Sequence, residues 1–359
     1  MFNRKQEPAD SKSKPKRTFA IKIITRAAII RLAILAAALA VFCLWGYFTM
    51  LKMPGKSYTG PLPPLTSAQI SLRDELRRDV ETLAGQIGQR NIWNHQNLTA
   101  AADFLETSLA EAGYKVRRQN YLVENLICCN LEAEITAAEQ PEQIVIIGAH
   151  YDTVYGSPGA NDNGSAVAAT LALARHFADK KTDRTLRFVF FANEEPPFFQ
   201  TGQMGSMAYA KSCREKEENI IAMISLETIG YYTDKPNSQK YPFPLSLFYP
   251  STGNFIGFVS NTSSRKLLHT AIASFRKNCK FPSQGGSLPE IVPGINWSDH
   301  ASFWHYNYPA IMLTDTAPFR YQFYHTPEDT FEKVCFDSLT RVVTGIQSVI
   351  SDLANSTNF

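Results

Sequence analysis

Three short apolar runs, each stopping at an acidic or imidazole side chain, constrain this 359-residue chain more than any other feature. Ile144–Ile147 (IVII) leads to His150 and Asp152, and Leu186–Ala192 (LRFVFFA) leads to Asn193, Glu194 and Glu195. Ile220–Glu227 (IIAMISLE) ends on Glu227 itself. Apolar runs this short read as strands buried on both faces, as strands of parallel sheets are. Helix-periodic stretches separate them, from Ala166 (AVAATLALARHF) and near 204–213. The alternation predicts an α/β fold: a single three-layer αβα domain with a mixed, largely parallel central sheet and helices on both faces. In such sheets ligands and metals are held at the carboxyl ends of the strands, where these polar residues fall.

The remaining pattern fits one such domain. Thr66 or Ser67 opens a helical pattern with apolar residues at Ile70, Leu72, Leu76, Val80 and Leu83, and a second helix over about 98–112 ends at Gly113. Strands are expected at about 115–122, 126–136 and 143–149, then near 245–249 and 255–260 and at Ala310–Leu313. Further helices are expected at about 263–277 and 337–354, with a short one opened by Trp297-Ser298-Asp299-His300 and a loop over Gly285–Pro293. The loop His150–Ser165 (HYDTVYGSPGANDNGS) joins a strand to a helix, and Gly156 and Gly159 let it turn sharply beside a ligand.

Ahead of the domain, Leu32–Leu51 is twenty residues without a charge, enough for a helix to span about 30 Å of hydrocarbon. Residues 1–31 hold nine Lys/Arg and two acids, and the next basic residues are Lys52 and Lys56. The positive-inside rule puts the N-terminus in the cytoplasm and everything after Lys52 on the far side of the membrane. Ala38-Leu39-Ala40 resembles a signal-cleavage site, but the apolar run continues for eleven residues beyond it, which favours an uncleaved single-pass anchor. The expected division is a basic cytoplasmic tail (1–31), a transmembrane helix (32–51), a Pro/Gly linker (52–65) and a catalytic domain (66–359). The formal charge of +3 hides this, since the chain after residue 31 has 27 basic against 31 acidic residues and so gives no support for nucleic-acid binding. The six cysteines follow no framework spacing and no CxxC pattern. An extracytoplasmic location would permit a disulfide among Cys128, Cys129, Cys213, Cys279 and Cys335 without selecting one. Oligomeric state is left open.

The polar residues at expected strand ends are His150, Asp152, Asp162, Glu194, Glu195, Glu227, Asp299, His300 and His325. Singly, each has an ordinary explanation: a capping acid, a solvated turn, a core histidine. Gathered at one rim, they would repel or desolvate badly without cations. Two divalent metals about 3.5–4 Å apart, bridged by a carboxylate and a water, neutralise such a cluster and create a hydrolytic site.

HYD, PGANDNGSA, NEE, LETIG, SDHASFW and YHTPEDT, in this order, resemble the family-28 zinc aminopeptidases. These include bacterial leucyl aminopeptidases and, more distantly, glutaminyl cyclases. The resemblance covers about residues 66–355. It implies two zinc ions per chain, with Asp162 linking them, His150 and Glu227 completing one site, and Glu195 and His325 the other. It implies Glu194 as general base, Asp152 as the group that orients His150, and a cis peptide at Asp162–Asn163. The implied substrates are peptides with a free N-terminus. A tyrosine that some members place shortly before SDH is absent from Gly294–Trp297, so Asn296 or a more distant tyrosine would take its place at the oxyanion. The competing readings are a glutaminyl cyclase and a non-catalytic ectodomain on a peptidase fold.

Overall fold

The computed structural model describes residues 25–355, which form two compact units divided between Tyr47 and Phe48. The first contains helix α1 (Arg26–Gly46), opened by Thr25, whose hydroxyl accepts from the Ala28 N–H at 3.1 Å. None of its residues is buried, and by length and composition the helix continuing to Leu51 can cross a membrane. Residues 1–24 of the expected basic tail lie outside the described residues.

In the second unit the helices are α2 (Ser67–Val80), α3 (His95–Glu111), α4 (Ala166–Phe177), α5 (Gly205–Glu215), α6 (Arg265–Asn278), α7 (His300–His305), α8 (Ala317–Arg320) and α9 (Phe336–Asn355). The strands are β1 (Arg117–Val123), β2 (Leu126–Ile135), β3 (Gln140–His150), β4 (Arg184–Phe191), β5 (Asn219–Glu227), β6 (Ile256–Ser260), β7 (Ser283–Ser287) and β8 (Ala310–Thr314). They form one sheet in the order β1-β2-β4-β3-β5-β8-β6-β7. Its centre, β4-β3-β5-β8, is parallel, as is β6-β7, while β1-β2, β2-β4 and β8-β6 are antiparallel. The α/β class and mixed sheet are as expected.

Alternation along the central strands builds the layers. Val145, Ile147 and Ala149 of β3, Leu186, Phe188 and Phe190 of β4, and Ala222, Ile224 and Leu226 of β5 enter a large core with side chains of α2, α3, α4, α6 and α9. Ile144, Ile146, Val189, Phe191, Ile220 and Met223 point the other way, into a smaller core with Tyr209 of α5 and Phe303 of α7. Every residue of β4 is buried, which accounts for the uninterrupted apolar run Phe188–Phe191.

Two expectations fail. The strand expected near 245–249 is a 3₁₀ turn (Leu245–Leu247) flanked by Pro242, Pro244 and Pro250, residues that cannot donate to a ladder. The expected loop at Gly285–Pro293 begins inside β7, whose SQGGS sequence pairs in parallel with β6. Gly285 is the reason such a strand fits: a Cβ there would lie 2.8 Å from Ile272 and 3.0 Å from Met53.

Residues 52–65, read as a linker, run against the domain in their first half. Met53 packs on the large core, Arg276 donates to the carbonyls of Pro54 (2.9 Å) and Gly55 (3.3 Å), and the Ser283 N–H donates to Ser57 Oγ at 2.9 Å. All six cysteines are free thiols.

Candidate active site

His150 is the last residue of β3 and Glu227 the last of β5, while Glu194 and Glu195 follow the end of β4. The turns that aim these groups are tight. Asn193 (φ 57°), Thr228 (φ 42°) and His325 (φ 60°) all sit in left-handed backbone, which branched Thr228 rarely adopts. The Asp162–Asn163 peptide is cis, as the resemblance implied.

Two groups of potential metal donors meet around Asp162: His150, Asp162 and Glu227 form one, and Asp162, Glu195 and His325 the other. His150 Nε2 lies 3.5 Å from Asp162 Oδ1 and 3.3 Å from Glu227 Oε2. His325 Nε2 lies 3.1 Å from Asp162 Oδ2 and 3.2 Å from Glu195 Oε2. The two oxygens of Asp162 therefore face different clusters. Glu194 approaches His150 Nε2 only to 4.0 Å and belongs to neither group.

These atoms close on common points rather than on one another. Asp162 Oδ2, Glu195 Oε1 and His325 Nε2 are buried without a hydrogen bond, a rare state in a folded protein and the one that donors awaiting a metal would show. Imidazole nitrogen and carboxylate oxygen are the donor types zinc takes in catalytic sites, so the residues present fit two zinc ions. The charges agree. Burial raises Glu195 to about 7, with Asp162 adding to it against His325. Burial also raises Glu194 well above the usual carboxylate range, and Glu227 and Glu195 add to it against His150. For Asp162, the two imidazoles outweigh burial and hold it below that range. A bound cation is what would remove this mutual repulsion.

Asp152 does more than the sequence implied. Its Oδ1 lies 3.4 Å from His150 Nδ1, and its two oxygens also accept the N–H groups of Glu194 (3.0 Å) and Glu195 (3.1 Å). One carboxylate thus sets three site residues. Asn163 clamps the end of β5, donating to the Leu226 carbonyl (3.0 Å) and accepting from the Thr228 N–H (2.9 Å), on either side of Glu227. Ser298 Oγ donates to Glu227 Oε2 at 2.8 Å. Asp329 accepts the N–H groups of Asn161 (2.9 Å) and Asp162 (3.0 Å). Asn163, Ser298 and Asp329 sit inside the quoted motifs, so their presence was signalled though not their work.

Arg90 had no signal. Wholly buried, it donates to the carbonyls of Leu83, Gly88, Tyr151, Pro158 and Gly159 behind the Asp162 loop. Of the other expected rim residues, Asp299 is buried with neither oxygen hydrogen-bonded and is raised to about 7 by burial. His300 is a core histidine: its Nε2 donates to the Ile295 carbonyl (2.7 Å), its ring packs edge-on against Trp304, and burial lowers it to about 4.

Beside Glu227 opens a cavity of about 110 Å³ walled by Tyr241, Tyr249, Phe258, Met312 and Phe319. Glu227 is the only charged side chain lining it. Trp297 and Phe319 also line it and stack with centroids 6.3 Å apart. Phe198 and Phe303 are core, and Tyr231 stacks on Tyr321.

The mixed sheet and the two donor groups that share Asp162 at its carboxyl rim are those of a zinc-dependent metallopeptidase. Residues 130–350 match peptidase family M28, and the chain belongs to that family. It is 33% identical to the uncharacterized protein YfbL of Escherichia coli K12 over 286 residues, covering 77% of this chain and 87% of that protein. Aminopeptidase YwaD of Bacillus subtilis is 30% identical, over 55% of this chain and 38% of its own length. Among solved structures, a zinc aminopeptidase from Bacillus subtilis superposes with a TM-score of 0.65 at 14% identity, covering 79% of this chain and 95% of that one. A glutaminyl cyclase from Bacteroides thetaiotaomicron gives 0.59 at 17% identity, covering 78% and 97%.

Proposed function

We propose that this chain is a membrane-anchored di-zinc aminopeptidase. The observation that carries the reading is that Asp162 presents one oxygen to each donor cluster while Glu194 stands beside both and joins neither. In this reading Asp162 would be shared by two metals, His150 and Glu227 would hold one with it, and Glu195 and His325 the other. Zinc held there would supply Lewis-acid polarisation of the scissile carbonyl and activation of water.

The chain's own residues do the rest. Glu194, whose raised proton affinity suits a base working near neutrality, takes a proton from the attacking water and returns it to the leaving amine. Asp152 keeps His150 and both glutamates in register. Tyr324 fills the place of the missing tyrosine. It lines the cavity with Glu227 and stacks on His325 with centroids 3.8 Å apart. Burial and the surrounding carboxylates keep its phenol protonated, able to donate to the developing oxyanion. The cavity, largely apolar apart from Glu227 at its edge, receives a bulky apolar N-terminal side chain. The apolar helix anchors the protein, with the basic tail in the cytoplasm and the catalytic domain on the other side.

Replacing adjacent glutamates separately tests this. Glu194→Gln is expected to keep both zinc ions and to lose activity on free-amino peptides by about 10²–10⁴-fold, the usual contribution of a general base. Glu195→Gln is expected to lose zinc and activity together. Loss of zinc from the first variant would reverse the two roles. A zinc-loaded wild type that spares free-amino peptides but cyclises N-terminal glutamine would replace the peptidase reading with the cyclase.

A further inference from the structure

Among the described residues, the three most exposed large apolar side chains are Ile291 (90%), Phe243 (85%) and Leu247 (71%). They exceed every large apolar side chain of helix α1, of which Leu32 is the most exposed at 69%. All three project from two loops, 242–248 and 289–293, whose inner residues are anchored: Leu245 and Val292 pack on the smaller core beside Leu288 and Ile295. Met50 and Leu51 pack on that same cluster, and Arg265 holds the Phe48 carbonyl at 3.0 Å. Met50 and Leu51 are also the last residues of the uncharged run that begins at Leu32. Within the second unit, the end of the uncharged run thus packs on the same cluster as the two loops. The exposed charges nearby are mostly basic, Lys52 and Lys240, and Glu290 is the acid on these loops.

We propose that these two loops seat the domain in the lipid interface of the membrane that the apolar helix enters, with Phe243, Leu247 and Ile291 below the headgroups. This rests on reading that helix as a membrane anchor. Apolar side chains at loop tips beside basic residues are what an interfacial contact with an anionic bilayer uses. Met50 and Leu51, where the uncharged run ends, share their packing cluster with Leu245 and Val292 of these loops. Pro242 and Leu245 from one loop and Pro293 from the other also wall the cavity beside Glu227, so seating them would hold the cavity next to the lipid headgroups.

The test places tryptophan at Phe243, at Ile291 and, as a control, at Leu122 on edge strand β1, in the full-length chain reconstituted into vesicles of phosphatidylcholine and phosphatidylglycerol. Brominated acyl chains are expected to reduce the emission added at positions 243 and 291 by roughly twofold or more, with a blue shift, and to leave that of Leu122→Trp unchanged. Equal or absent quenching at the three positions, in protein that alkaline carbonate cannot extract, overturns the seating while the anchor stands. Release of the chain by carbonate instead overturns the anchor reading, and the seating with it.

Discussion

The two donor clusters share Asp162 and little else. Around His150 and Glu227 everything is closed: the residues are 1% and 8% exposed, Asn163 clamps both sides of Glu227, and Ser298 holds its carboxylate. Around Glu195 and His325 the arrangement is open on one side only, because Glu195 is buried, at 4% exposure. The His325 side chain is 30% exposed, comes from a loop rather than a strand end, and has Tyr324 stacked on it. The carboxylate of one cluster is held by hydrogen bonds from behind, while the other cluster has one partly exposed donor in His325. Closed zinc sites hold metal for structure and open ones exchange ligands during catalysis. The difference suggests that the two proposed zinc sites are graded in affinity.

The largest effect is expected where the clusters meet. Asp162→Ala removes a donor from both, so elemental analysis should find the zinc content falling from two towards none, with activity lost. One ion retained at full occupancy would show that the closed cluster stands without the bridge. His325→Ala comes next and should sharpen the contrast. It is expected to leave one zinc that resists mild chelation, whereas wild type releases its two in distinct phases. Simultaneous release from wild type would end the idea of graded sites. Asn163→Ala touches no donor, yet it frees the backbone around Glu227. Zinc affinity at the closed cluster should drop by about 10–100-fold, as when outer partners of metal ligands are removed. Ser298→Ala should lie at the low end of that range, since it removes one hydrogen bond and leaves the backbone clamp intact.

The donors were legible because imidazoles and carboxylates at the ends of apolar runs advertise themselves, and their order along the chain carried the family pattern. Three of the central strands were legible for a related reason: burial on both faces leaves apolar runs such as Phe188–Phe191 of β4 without polar alternation. Strand β7 was hidden because SQGGS has almost no side chain to display a face, and its place is set by close approach to Ile272 and Met53. The turn at Leu245–Leu247 imitated a strand through Leu and Phe, while its prolines removed the donors a ladder needs. The packing of Met53 and Pro54 against the domain was invisible because a Pro/Gly composition describes stiffness, not what the segment lies on.

Arg90 was missed for a different reason, since its partners are main-chain carbonyls, which every residue carries. The same fact sets how this part of the protein can change over evolution. Substitutions at Leu83, Tyr151 or Pro158 leave the acceptors in place, so the socket tolerates drift in its walls but not in its occupant. That occupant lies forty residues ahead of the matched family region, which starts at Asn130. A catalytic core trimmed to that boundary would keep every proposed zinc donor and lose the guanidinium that organises the loop behind them.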